Sequence, residues 1–137
     1  MPLMNLAPDA AANSIRVLVA DDDRSFLSSL RELIDRQPEL EVVATAVDGL
    51  QAIELAEDLE PDAVVLDVHM PLLDGVSTAA RLRRDHPSIC LIALTGDDAP
   101  PLHQAVREAG ADEVLLKNEI LDVLVERLTG ARATAKG

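Results

Sequence analysis

Five short apolar runs, each followed by a stretch in which apolar residues recur every three or four positions, divide the chain into repeating units. The runs near 15–20, 41–46, 63–67, 89–94 and 112–116 are almost continuous Val, Leu, Ile and Ala, a composition suited to strands buried on both faces. The stretches between them, about 24–36, 49–59, 76–85, 100–109 and 119–129, carry helical periodicity. This alternation predicts βα units and therefore an α/β fold, a five-stranded parallel sheet doubly wound with five helices.

Local punctuation supports the helix ends. Asp23 is placed to cap the first helix, whose Phe26, Leu30, Leu33 and Ile34 form an inward stripe, and Pro38 follows its end. Asp48 and Asn118 read as N-caps, and Asp98 precedes Pro100-Pro101, where the fixed φ of proline suits a first turn. Gly110 reads as a left-handed stop. The last helix is expected to turn Ile120, Val123, Leu124 and Leu128 toward the sheet. The longest loop, Val68 to Gly75, contains Pro71 and Gly75, residues that fix a backbone shape.

At 137 residues the chain has the length of one domain with a substantial core. Residues 1–13 lack the basic start and apolar middle of a secretory signal and are expected to form a flexible leader; 14–129 form the domain, and 130–137 a flexible tail. One cysteine excludes an internal disulfide, and no apolar run is long enough for a membrane span, so a cytoplasmic protein is expected. Cys90, in the fourth strand, reads as a small buried apolar residue. The net charge of −13 makes the surface hostile to phosphate backbones, so this chain alone is not expected to bind nucleic acid.

The acids that need a local explanation stand where apolar runs end. Asp21-Asp22-Asp23 follows the first run, Asp67 closes the third, Thr95 follows the fourth and Lys117 the fifth. In a parallel sheet the carboxyl ends of all strands open on one edge, so these residues are expected to meet around a ligand. Acids, a hydroxyl and an ammonium on one rim describe a site for a divalent metal and a phosphoryl group. Two carboxylates ~4 Å apart repel by about 4 kcal/mol at an effective dielectric near 20, a strain that a cation relieves.

These residues, in this order, resemble the receiver domain of two-component response regulators, over roughly residues 15–128. The resemblance is carried by the acidic pair after the first strand, LDVHMPLLDG around Asp67, LTG at 94–96 and LLK at 115–117. It implies a flavodoxin-like sheet of order 2-1-3-4-5. It further implies Asp67 as phosphoacceptor, and Mg²⁺ held by Asp22 and Asp67, by Asp21 mainly through water and by the backbone carbonyl of His69. Lys117 would pair with a phosphoryl oxygen and Thr95 would hydrogen-bond another. Asp23 is a cap rather than a ligand in this reading, because Phe26 matches the large apolar residue four positions after the second acid; a register one residue later, Asp22 with Asp23, stays open.

His69 and Asp97 border the path of a hydrolytic water and are expected to tune phosphoryl lifetime. His86 and His103 are expected on the surface, away from the site. Two positions depart from the family pattern. Val114 stands where many receivers carry a mobile Tyr or Phe, and Asn118 stands where a proline with a cis peptide often follows the lysine, so a trans bond is expected. Lys-Asn is similar to receivers of the helix-turn-helix-output subclass, which raises the question of a separated output domain. The implied partner is a sensor histidine kinase docking beside the first helix. Dimerisation through the fourth and fifth helical region or through the first and fifth helices is left open.

Two other readings compete with a phosphorylatable receiver that is not an enzyme beyond self-catalysed phosphoryl transfer and hydrolysis. One is a pseudo-receiver scaffold, motivated by Val114. The other is a phosphatase resembling the haloacid-dehalogenase group, which would want an acid where His69 stands.

Overall fold

The computed structural model describes residues 14–70, 74–96, 99–119 and 123–130. The expectations for the 1–13 leader and for 131–137 lie outside these residues, as do those for Asp97, Asp98 and Ile120. Five strands, β1 (Ile15–Ala20), β2 (Leu40–Ala46), β3 (Ala63–Asp67), β4 (Cys90–Thr95) and β5 (Glu113–Leu116), form one parallel sheet in the order β2-β1-β3-β4-β5. Helices α1 (Arg24–Asp35), α2 (Gly49–Leu59), α3 (Gly75–Asp85) and α4 (Pro100–Ala109) alternate with them, and a last helix, α5, occupies 123–130.

Alternation along β1, β3 and β4 divides the interior in two, and an irregularity in β2 moves Val42 and Ala46 to opposite layers. Val17, Val19, Ala63, Val65, Ile92 and Leu94 pack under α1 and α5, meeting Leu27, Leu30, Ile34, Leu124 and Leu128. Leu18, Ala20, Val64, Leu66, Leu91 and Ala93 face α2, α3 and α4, meeting Ala52, Ala56, Ala79, Leu82 and Val106. Among the described residues no helix is long and apolar enough to cross a membrane.

Most helix ends follow the expected chemistry. Asp23 accepts from the N–H groups of Ser25 and Phe26, and Asp48 from that of Gln51. Asp74, not anticipated as a cap, accepts from the N–H and hydroxyl of Ser77, so α3 starts at Gly75. Gly110 ends α4 at φ 128°, and a Cβ there would also strike the Arg83 side chain. Glu60 ends α2 in the left-handed region at φ 46°, a position where glycine would be expected.

Several boundaries differ from expectation. The Ile89 N–H closes a turn onto His86, so β4 begins at Cys90 and takes in Thr95. Asn118 lies inside a single 3₁₀ turn, Lys117–Glu119, a tighter path that turns the chain as soon as β5 ends, and the residues it was expected to cap lie outside those described. The peptide bond from Lys117 to Asn118 is trans. α4 starts from Ala99 without a side-chain cap, its first turn held by Pro100 and Pro101. On α1 the buried residues are Leu27, Leu30 and Ile34, while Phe26 and Leu33 are partly buried at the margin. α5 continues through Gly130.

Candidate functional site

Strand register assembles the rim. Ala20 lies opposite Leu66, which sets Asp21 across from Asp67, and the Asp21 N–H extends the ladder to the Ala46 carbonyl. Asp67 pairs with Leu94 and Thr95 with Leu116, so Thr95 stands one step beyond the partner of Asp67 and Lys117 one step beyond that of Thr95. Three crossovers thus bring residues distant in sequence to the carboxyl edge of the three central strands and β5.

The Lys117 ammonium lies 2.6 Å from Asp21 Oδ2 and 3.1 Å from Asp67 Oδ2. Asp21 and Thr95 are fully buried and Asp67 nearly so, whereas Asp22 is exposed. Asp21 Oδ1 accepts from the Asp23 N–H at 2.9 Å. Burial pushes the Asp21 carboxyl above its ordinary value, a rise that Lys117 and the Asp23 N–H oppose and the Asp67 charge reinforces. Lys117 also sits above its ordinary value: burial alone would lower it, but the two carboxylates outweigh burial.

The segment after Asp67 is tightly bound to the sheet. The His69 N–H donates to Asp67 Oδ1 at 3.0 Å, and the Val68 N–H to the Leu94 carbonyl. The Gly75 N–H reaches the Val68 carbonyl at 3.2 Å, and a Cβ on Gly75 would fall 2.6 Å from that oxygen. Gly75 therefore clamps the backbone beside the Asp67 carboxylate.

Asp21, Asp22 and Asp67 each bring one carboxylate oxygen within 4.8 Å of the others. Asp21 Oδ2 is buried without an aligned hydrogen bond despite the nearby ammonium, so it retains capacity for a cation. An all-oxygen set of this kind suits a hard divalent ion such as Mg²⁺. Asp23 is turned to the α1 cap and does not join the three acids, which supports the Asp21–Asp22 register.

The backbone of His69 lies at the rim with its side chain exposed. His86, at the C-cap of α3, and His103, on α4, are half-buried rather than fully exposed. Cys90 is half-buried, and burial pushes its thiol up to about 11. Sequence reasoning missed one contact: the Phe26 ring lies over the Lys117 ammonium, 4.6 Å from Nζ to the ring centroid. The position of Phe26 in the first turn of α1, just past the acidic pair, was the available signal.

Sheet order and acidic rim place the chain among doubly wound, flavodoxin-like α/β domains. The family model of the response regulator receiver domain matches residues 17–129, and the chain belongs to that family, the receivers of two-component systems. It is 40% identical over 126 residues to the nitrate/nitrite response regulator protein NarP of Escherichia coli, covering 92% of this chain and 57% of that protein. It is 38% identical over 106 residues to a protein-glutamate methylesterase/protein-glutamine glutaminase of Shewanella frigidimarina, covering 76% of this chain and 26% of that enzyme. The chain thus spans about half of the first relative and a quarter of the second. The receiver domain of the putative response regulator NarL from Mycobacterium tuberculosis superposes with a TM-score of 0.80 at 29% identity, covering 91% of this chain and 98% of that one.

Proposed function

We propose that this receiver accepts a phosphoryl group on Asp67 from a sensor histidine kinase or a small phosphodonor, in a Mg²⁺-dependent reaction, and thereby switches a protein-interaction surface. The observation that carries this reading is the buried Asp67 carboxylate, held by Lys117 and flanked by Asp21 and Asp22. In the transfer an Asp67 carboxylate oxygen attacks phosphorus, an acyl phosphate forms, and the bond to the donor imidazole nitrogen or acyl oxygen breaks with its electron pair leaving on the donor.

Asp22 and Asp67 would hold Mg²⁺ directly, Asp21 through water, and the His69 carbonyl from the backbone. When bound, the ion supplies neutralisation of charge on the phosphoryl oxygens. Lys117 offers its ammonium to one phosphoryl oxygen and Thr95 its hydroxyl to another. His69 and Asp97 govern the approach of the water that later hydrolyses the acyl phosphate. The chain itself is a phosphoacceptor and not a turnover enzyme, and it acts in the cytoplasm. The charge of −13 argues against DNA held by this chain alone, so the partners are protein: a kinase beside α1 and, where the chain dimerises, a second copy. Any DNA-binding output lies in a separate domain.

Val114 favours a second reading, a scaffold whose switch has decayed. It is half-buried against the α2–α4 core and has one stiff torsion and no ring to swing inward. Intact mass after incubation with Mg²⁺ and a small acyl phosphate separates the readings. One added phosphoryl in the wild type and none in Asp67→Asn is expected; no adduct in either protein favours the scaffold.

A further inference from the structure

Phe26 is the sole aromatic residue of the chain, which has no Trp or Tyr. The ring stands at the rim, over an ammonium that also meets two carboxylates, rather than among the aliphatic side chains of the interior. We propose that Phe26 is a positioning residue that holds the Lys117 ammonium between Asp21 and Asp67, a role that rests on the phosphoacceptor reading of the site.

The surrounding contacts form a closed circuit. The Phe26 N–H donates to Asp23 Oδ1 at 3.2 Å, the Asp23 N–H donates to Asp21 Oδ1 at 2.9 Å, and Asp21 Oδ2 meets Lys117 at 2.6 Å. The ring closes the circuit from Phe26 back to Lys117. The helix cap that starts α1 therefore also sets where the ring stands. An ammonium carries three donors; one is given to Asp67 Oδ2, another side lies against Asp21 Oδ2, and the ring's negative face covers a side that water would otherwise take.

The lysine stem is flexible and the side chain keeps 23% of its exposure, so without the ring the ammonium is free to swing outward. Such a swing has opposite effects on two measurable quantities. Phosphoryl transfer loses its ammonium and slows. The three acids lose a positive charge among them and bind a divalent cation more tightly.

The test compares Phe26→Leu, which keeps an apolar side chain of α1 but removes the π face, with Phe26→Trp, which restores one. Mg²⁺ affinity is read by calorimetry, phosphorylation by intact mass over time, and folding by thermal melting. In Phe26→Leu the expected results are phosphorylation slowed and Mg²⁺ bound more tightly, each by about three- to tenfold, the span of a partly desolvated cation–π contact. Phe26→Trp is expected to return both to wild-type values, and in a Lys117→Met background Phe26→Leu is expected to leave Mg²⁺ affinity unchanged. Weakening of both quantities together, failure of Phe26→Trp to rescue, or an effect that persists without Lys117 would overturn the proposal. If the wild type itself takes no phosphoryl, the phosphoacceptor reading fails while the Mg²⁺ arm still decides the role of the ring.

Discussion

Lys117 lies closer to Asp21, at 2.6 Å, than to Asp67, at 3.1 Å, although Asp67 is the residue proposed to react. The ammonium therefore serves first as counter-charge to a fully buried acid. Its aligned hydrogen bond goes to Asp67 Oδ2, and in the proposed transfer the ammonium exchanges that oxygen for an incoming phosphoryl oxygen.

Replacing Lys117 with Met removes the counter-charge while keeping the stem. Metal-free Lys117→Met is expected to lose about 1–3 kcal/mol, the cost of a buried polar group left without its partner. Mg²⁺ is expected to recover more stability in the variant than in the wild type, because binding to the folded state alone adds stability by mass action. Urea unfolding in chelator and in Mg²⁺ measures both effects.

The raised Asp21 carboxyl makes the metal-free protein sensitive to pH in a defined direction. Its ordinary value is 3.8, and burial is the main cause of the rise. Below 3.8 the acid is neutral in both folded and unfolded chains, and no penalty arises. As pH climbs through the raised folded value, the unfolded chain ionises more easily, and the folded state loses stability. The stability difference between wild type and Asp21→Asn, followed by urea unfolding against pH, is expected to turn against the wild type over that window. Saturating Mg²⁺ is expected to flatten it.

Gly75→Ala places a methyl group against the Val68 backbone, where neither partner can yield cheaply. A loss of about 1–3 kcal/mol is expected from overpacking. Phosphorylation is expected to slow as well, because Val68 directly follows Asp67 and the His69 N–H holds Asp67 Oδ1. Thermal melting with a phosphorylation time course checks the pair; a destabilised protein with wild-type kinetics would show that the clamp does not shape the site.

Glu60→Gly relieves a left-handed backbone at the end of α2 and is expected to stabilise the protein by about 1 kcal/mol. The Arg16 guanidinium donates to the Leu59 and Glu60 carbonyls, contacts that survive loss of the Glu60 side chain. Mg²⁺ affinity is expected to stay unchanged, since this end of α2 lies at the opposite edge of the sheet. Denaturant midpoints and calorimetry test the two statements.

Element order and the convergence of Asp21, Asp22, Asp67 and Lys117 were legible in the chain because each apolar run stops at a polar residue, and a parallel sheet collects such stops on one edge. Finer points were not. β4 starts at Cys90 because a turn consumes the Ile89 N–H, and Thr95 falls inside it because Thr95 pairs with Leu116, hydrogen bonds that no local pattern announces. Asn118 suits both an N-cap and a tight turn, and the structure uses it in the turn. The contact of Phe26 with Lys117 depends on how α1 is rotated over the sheet. Leu27 takes the interior place that the periodicity offered to Phe26.

An interior without aromatic side chains, with the one phenyl ring at the rim, also makes the folded protein optically silent where proteins are usually watched. Phe26→Trp would therefore introduce a solitary emitter beside the ammonium, and changes in brightness or colour would report charge arriving in the pocket with no background from elsewhere in the chain.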